Sequence, residues 1–139
     1  MSTSATAGQA GTSGASVAIL IGRILLAAMF VLAGFGKLTD IGGTAGWFGS
    51  IGLPAPTIVA VLVGLLELVA GLAIVVGFQT RIAALALALF TIGATLIAHT
   101  NFADMMQFLI FQKNFAVVGG LLVLAFAGAG ALSVDARRG

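Results

Sequence analysis

The sequence contains no cysteine, no tyrosine and a single histidine, His99. Without cysteine, the chain can form no disulfide, iron–sulfur cluster or thiolate nucleophile. With one histidine, neither an all-protein zinc site nor a bis-histidine haem is expected. Any redox chemistry therefore belongs to a bound cofactor, a substrate or a partner subunit.

Charged residues are also scarce: they make up 7% of the 139 residues, whereas hydrophobic residues make up 60%. The mean hydropathy is +1.23. A soluble domain carries roughly 25% charged residues, because its surface must be hydrated. The six Lys and Arg residues are scattered, so the composition does not predict a nucleic-acid partner. Most of the surface is therefore expected to face lipid.

Four long apolar runs predict the fold. They cover about residues 17–38, 57–78, 81–99 and 108–132, and the last run begins between Met106 and Lys113. Each approaches the ~20 residues that cross a ~30 Å hydrocarbon core as a helix. We therefore predict an all-α, polytopic integral membrane protein with a four-transmembrane-helix bundle.

The segments outside these runs predict tails and links. Residues 1–16 are small and polar without apolar periodicity, which predicts a disordered tail. They lack the basic start of a signal peptide, so no cleavage is expected, and residues 136–139 form a short C-terminal tail. In the link 39–56, Trp47 and Phe48 are expected at the lipid headgroups.

Four spans place both termini on one side of the membrane. Arg81, Arg137 and Arg138 then share that side, while Lys37 and Lys113 lie towards the other. Because positive charge favours the cytoplasm, both termini are predicted to be cytoplasmic.

Glu67 is the most informative polar residue. It lies ten residues into the second run, close to the bilayer midplane, where a charged side chain costs about 2.5–3.5 kcal/mol on insertion scales. On a helix it shares a face with Gly64 and Gly71, so it points towards a packed neighbour. Glu67 is either a lock between helices or part of a ligand or proton site, and intramembrane acids favour the second.

Two cations are candidate partners for Glu67. Arg23 lies roughly 9 Å below the start of the first span and either pairs with Glu67 or snorkels to the headgroups. Lys113 lies about 10 Å inside the opposite leaflet if the fourth helix begins near Met106. If that helix begins at Lys113 itself, the residue is an interfacial anchor. Asn114 adds a neutral donor and acceptor beside it.

Two further polar residues end apolar runs. His99 is either a helix cap at the interface or a group that exchanges protons with a redox ligand near neutral pH. Lys37 suits the C-terminal dipole of the first helix and the headgroups, and is interpreted as an anchor.

Several short motifs occur in a specific order along the chain. They are Gly22-Arg23, Gly34-Phe35-Gly36-Lys37-Leu38, Gly52-Leu53-Pro54, Leu66-Glu67-Leu68-Val69-Ala70-Gly71, Lys113-Asn114, Gly119-Gly120-Leu121 and Leu132-Ser133-Val134-Asp135. This pattern resembles the DoxX family of small bacterial membrane proteins. The resemblance implies a four-helix fold in the bacterial cytoplasmic (inner) membrane and an association with quinone-linked redox chemistry. Relatives include the DoxD subunit of thiosulfate:quinone oxidoreductase, but the resemblance carries over no catalytic motif.

These observations lead to one functional hypothesis and two alternatives. The first is a membrane subunit associated with a quinone-linked oxidoreductase, rather than a self-sufficient enzyme. A cleft near Arg23, Glu67 and Lys113, with Asn114 and His99 beside it, would bind a quinone or a small anion without a metal or covalent cofactor. The second is a non-enzymatic accessory subunit packed against a larger respiratory or photosynthetic complex, and the third is a small-solute carrier. The expected partners are the bilayer, other membrane subunits and further copies of the chain.

Overall fold

A computed structural model describes residues 13–138, which form helices and connecting segments without a strand in that range. The helices are α1 Gly14–Thr39, α2 Ile41–Ser50, α3 Pro56–Val76, α4 Thr80–Ala98, α5 Met105–Ala127 and α6 Val134–Arg138. Of these, α1, α3, α4 and α5 are long and apolar enough to cross a membrane. The predicted all-α, four-helix membrane fold is confirmed.

The four long helices form two antiparallel pairs. Helix α1 packs most extensively on α3, and α4 on α5. A tight turn at Gly77 joins α3 to α4, and Gly77 adopts a left-handed conformation with φ 74° that suits glycine. We call the end where α1 begins and α5 ends the termini end, and the opposite end, where α1 ends and α5 begins, the far end.

The interior is small and the outer surface is apolar. Phe30, Ile74, Leu87 and Leu121 are fully buried among alanines of the same helices. Many large apolar side chains face outwards instead, on all four long helices, including Leu25, Leu32, Leu62, Leu89, Val123 and Phe126. An exposed apolar surface of this extent is stable in lipid and unfavourable in water.

Glycines bring the backbones of α1 and α3 into contact. A Cβ atom added to Gly34 would lie 2.5 Å from the Leu68 nitrogen and 2.7 Å from the Gly64 carbonyl oxygen. Small residues at helix crossings are typical of membrane bundles, because close packing replaces the hydrophobic driving force there. The crossing fixes the level at which Lys37 and Glu67 meet.

Several predicted boundaries are wrong by a few residues, because capping residues set them. Helix α1 begins at Gly14, where the Ser13 hydroxyl caps the Ser16 amide at 3.2 Å, so residues 14–16 are helical. The rest of the predicted disordered tail, residues 1–12, lies outside the described residues. Helix α5 begins at Met105 after the Asp104 cap, and it ends at Ala127 rather than Leu132 because Gly128 has a φ of 88°.

The predicted link 39–56 contains a helix. In α2, Phe48 is buried with Ala45 against Ala60 of α3, whereas Trp47 is exposed. The interfacial position predicted for both aromatics therefore does not fit Phe48, which packs inward. Helix α2 lies across the far end of the bundle.

Candidate ligand-binding cavity

Lys37 and Glu67 form an ion pair inside the bundle. The Lys37 Nζ atom lies 2.7 Å from Glu67 Oε1, although the angles fall outside those of an aligned hydrogen bond. Glu67 is 5% exposed, and the Lys37 side chain is 24% exposed. The buried carboxylate is therefore matched by a cation that remains partly accessible from the far end.

Arg23 does not take part in this pair. Its guanidinium is buried and donates to four backbone carbonyls: Ile74 at 2.8 Å, Val75 at 2.9 Å, Ala129 at 2.7 Å and Leu132 at 3.0 Å. Carbonyls in the last turn of a helix such as α3 lack partners within it, and Arg23 supplies them. The predicted Arg23–Glu67 pair is wrong, and Arg23 does not line the cavity: it ties α3 to the segment after α5.

A cavity of about 520 Å³ opens between the two helix pairs in the far half of the bundle. All four long helices and α2 contribute to its wall. The polar lining residues are Lys37, Glu67, Thr91, His99, Lys113 and Asn114, and the aromatic ones are Phe30, Trp47, Phe48 and Phe90. Four of the five predicted site residues, Glu67, His99, Lys113 and Asn114, therefore line one cavity.

A short hydrogen-bonded chain crosses from α5 to α4 at this level. Asn114 Nδ2 donates to Thr95 Oγ1 at 2.9 Å, and Thr95 Oγ1 donates to the Thr91 carbonyl at 2.6 Å. Two other buried atoms of the cavity-lining residues, Thr91 Oγ1 and His99 Nδ1, have no hydrogen-bond partner among residues 13–138. Because buried polar atoms are nearly always paired, such atoms beside a cavity are candidates for contact with a ligand or ordered water.

His99 adjoins both an aromatic ring and a cation. Its imidazole stacks on Trp47 with ring centroids 6.3 Å apart and an interplanar angle of 29°. Burial lowers the pKa of His99, and the positive charge of Lys113 lowers it further. The ring is therefore neutral at pH 7, with one nitrogen donating and the other accepting.

Lys37 and Thr91 are the main polar cavity-lining residues that sequence reasoning missed. The position of Lys37 near the end of an apolar run favours a headgroup anchor, which is why its pairing is not expected from sequence. A usable indication is nevertheless present: Lys37 and Glu67 each lie three residues after a glycine of the crossing, Gly34 and Gly64. Residues three apart share a helix face, so the glycines that bring the helices together also bring these charges together.

Comparison with known proteins adds to this geometry. The sequence profile described as DoxX matches residues 18–100. The chain belongs to the DoxX family. This DoxX protein is 43% identical to Inner membrane protein YqjF of Escherichia coli K12 over 119 residues, 86% of this chain and 90% of that protein. It is 35% identical to Inner membrane protein YphA of the same strain over 127 residues, 87% of this chain and 90% of that protein.

A third relative carries a functional name. It is the "Putative oxidoreductase CatD" of Bacillus subtilis strain 168, 35% identical over 78 residues, 56% of this chain and 57% of that protein. No solved structure matches the chain. Lys37, Glu67, Thr91 and His99 lie within the family match, and Lys113 and Asn114 lie beyond it. The relatives and the four spans confirm a multi-pass membrane protein of the inner-membrane type, while the orientation of its termini stays a prediction.

Proposed function

We propose that this DoxX protein is a membrane subunit associated with a quinone-linked oxidoreductase and that its cavity binds the quinone head group. One observation carries the proposal: two buried polar atoms that have no hydrogen-bond partner within residues 13–138 belong to residues that line a cavity with mainly apolar and aromatic walls. Its volume, about 520 Å³, lies within the roughly 300–1,000 Å³ of typical small-molecule sites.

The lining residues match the chemistry of a quinone. A quinone ring carries two carbonyl acceptors on a planar apolar ring. The Thr91 hydroxyl, the Asn114 amide and the Lys113 ammonium are donors of the kind those carbonyls need. Trp47, Phe48 and Phe90 line the same cavity and offer aromatic faces for stacking.

The charges of the cavity favour the same ligand class. Lys37 and Lys113 contribute two positive charges and Glu67 one negative charge, which leaves one net positive charge. A net positive cavity favours an acceptor-rich or anionic ligand. The predominantly apolar walls favour a quinone over the small anion that the sequence left as an alternative.

The protein's own residues would bind, orient and exchange protons, while electrons come from elsewhere. A bound quinone supplies a carrier of two electrons and two protons. Because this chain has no cysteine and one histidine, the proposal assigns electron delivery to a partner subunit. His99, neutral at pH 7, has a nitrogen that can accept a proton. The oxidoreductase name of CatD supports the assignment.

Partner contact is supported by the outer glycines. A Cβ atom added to Gly22, Gly36 or Gly119 would meet nothing within 4 Å, and all three are exposed. Exposed glycines allow another helix to approach closely in lipid. They support assembly with other membrane subunits, which is also what the accessory-subunit alternative requires.

The Thr91 hydroxyl offers a direct test. Thr91→Val conserves shape and removes a hydroxyl that has no partner in the described part of the chain, so the fold should keep its thermal stability while quinone retention falls. Thr95→Val is the matched control, because it breaks the Asn114 hydrogen bond and should lower stability. Quinone content per protein after mild-detergent purification is measured by mass spectrometry. Equal quinone content in the wild type and Thr91→Val would contradict the proposed site, as would a wild type without quinone.

A further inference from the structure

The cavity is partly open, and its lining includes an exposed side of α4. Leu89 and Ile97 line it, yet they are 71% and 58% exposed. Gly93 lies between them at four-residue spacing and lines it too. Residues four apart share a helix face, so the three form a continuous edge. We call this edge, with the gap beside it, the α4 slot.

The α4 slot points towards α3 and away from α5. Thr95, which bonds to Asn114 of α5, lies two residues from Gly93 and hence roughly 200° around the helix. On the α3 side, Val59 and Val63 line the cavity. The opening therefore lies between the two helix pairs, where α3 and α4 pack less extensively than either does within its own pair.

The slot reaches the middle of the membrane. Leu89 is the tenth of the 19 residues of α4, so it lies roughly 13 Å along the helix from either end. At this depth the solvent is acyl chain. Trp47, which is also exposed and lines the cavity, lies in α2 at the far end near the headgroups. The cavity is thus open both to the headgroup region and, through the slot, to the hydrocarbon.

From this geometry we infer that the ligand enters laterally from the bilayer, with its head in the cavity and a long apolar tail lying through the α4 slot. The inference rests on the proposed function and narrows the ligand to a lipid-soluble quinone with an isoprenoid tail. The polar groups of the cavity lie on its inner and far-end walls, whereas the slot is edged by Val, Leu, Ile and Gly residues. A soluble anion or a tailless ring would make no use of such an edge.

Gly93 provides a variant that narrows the slot. A Cβ atom added at Gly93 would meet nothing within 4 Å, so a side chain can start here without displacing the backbone, and Gly93→Leu should extend into the slot and fill it. Leucine also favours a helix more than glycine does, so stability should hold. Gly119→Leu on α5 is the matched control: it too has nothing within 4 Å of an added Cβ, is exposed and lies away from the cavity. Gly93→Ala adds only a methyl group and should therefore fill the slot less than Gly93→Leu does.

The readout is the fluorescence of Trp47, the chain's single tryptophan, which lines the cavity and is quenched by a nearby quinone. The full chain in lipid nanodiscs is titrated with a tailless benzoquinone and with the same head group carrying a long isoprenoid tail. Gly93→Leu should lower the affinity for the tailed quinone at least about tenfold, or 1.4 kcal/mol. It should change the affinity for the tailless quinone less than about twofold. Gly93→Ala should fall between, and Gly119→Leu should match the wild type.

The other outcomes would contradict the lateral slot, the proposed function or the quinone tail as occupant of the slot. If Gly93→Leu weakens both quinones equally, or neither, the lateral slot is wrong while the cavity stands. If neither quinone quenches Trp47 in the wild type, the proposed function itself fails. If phospholipids with brominated acyl chains quench Trp47 and added quinone does not relieve it, the occupant of the slot is a lipid chain and the inference fails.

Discussion

Among single residues, the main polar feature of the cavity is the ion pair between Lys37 and Glu67. Glu67 lies near the middle of α3 and is almost fully buried, so its charge needs a partner or its carboxyl must be protonated. Lys37 reaches it from the end of α1 while its side chain stays partly exposed. Glu67 therefore needs the charge of Lys37 more than Lys37 needs the charge of Glu67.

This asymmetry gives a prediction for the two single variants. Lys37→Met leaves a buried carboxylate without a counter-ion, and we expect a loss of about 3–5 kcal/mol, as for broken buried pairs. Glu67→Gln leaves a lysine that can turn towards the headgroups, so its loss should be smaller. The double variant Lys37→Met with Glu67→Leu should recover most of the stability. Thermal unfolding in detergent measures all three; two single variants as stable as the wild type would show that the pair contributes nothing.

Glu67 and Arg23 show what single residues reveal in sequence. The position of Glu67 at an internal cavity is predictable, because an acid in the middle of an apolar span is costly unless it meets a partner or a ligand. Arg23 is assigned to the wrong partner from sequence because its real partners are four backbone carbonyls. Every residue carries a carbonyl, so no sequence pattern marks the ones that a helix end leaves free.

At the scale of elements, the crossing of α1 and α3 places the ion pair. The backbones meet at Gly34, next to Leu68 and Gly64, and no side chain fits between them. Gly36, two residues on, faces open space. A larger residue should therefore be tolerated at Gly36 but not at Gly34.

Alanine at these two positions tests the crossing. Gly34→Ala must push α1 away from α3, and overpacking of this kind costs about 1–3 kcal/mol or more. Gly36→Ala meets nothing and gains helix propensity of up to about 1 kcal/mol. The melting temperature of each variant in the same detergent is the measurement. A Gly34→Ala protein as stable as Gly36→Ala would show that the helices do not touch here.

Helix α6 caps the beginning of α4 through Asp135. Its carboxylate accepts from the Gln79 amide at 2.7 Å and from the Thr80 amide at 2.9 Å. Burial alone would raise the pKa of Asp135, but the hydrogen bonds from the Thr80 and Gln79 amides and the charge of Arg138 outweigh it and hold the pKa below its usual value. The charged carboxylate therefore stabilises the folded state.

A lowered pKa fixes the sign of the pH dependence. Asp135 contributes fully above its unfolded pKa of about 3.9, and the contribution disappears as the pH falls through the lower folded value. Asp135→Asn keeps one accepting oxygen but loses the charge, so we expect it to lose about 0.3–1 kcal/mol at pH 6, the usual effect of a negative charge at a helix N-terminus, and to approach the wild type as the pH falls below the unfolded pKa. Melting curves of both proteins across this range give the difference. A gap that does not narrow at all as the pH falls below the unfolded pKa would mean that the charge of Asp135 is not involved.

The four spanning helices could be predicted from the sequence, but the residues at which they begin and end could not. Four apolar runs of spanning length leave few alternatives in lipid, because each backbone must satisfy its own hydrogen bonds there. The ends depend on single caps such as Asp104 and on the left-handed or extended turns at Gly128 and Gln79. The helix α2 within the predicted link was missed because its glycine-rich sequence has a low helix propensity and forms against α3.

At the scale of the whole molecule, the two helix pairs and their ends predict the orientation. Arg81, Arg137 and Arg138 lie at the termini end, whereas Lys37 and Lys113 lie in the far half and line the cavity. With the termini in the cytoplasm, the cavity opens towards the outer leaflet. A C-terminal fusion to a phosphatase that is active only outside the cytoplasm should be silent, and a fusion to a cytoplasmic fluorescent protein should be bright. The reverse pattern would invert the orientation.

Photo-crosslinking can locate a quinone head bound in the proposed cavity. A quinone with a photoreactive group on its head ring is irradiated with the full chain in nanodiscs, and the modified residues are mapped by mass spectrometry. If the head binds in the cavity, we expect adducts on lining residues such as Trp47, Phe90, His99 and Lys113, and excess unlabelled quinone should suppress them. Adducts spread over the lipid-facing surfaces of α1 and α5, unaffected by competitor, would contradict binding in the cavity.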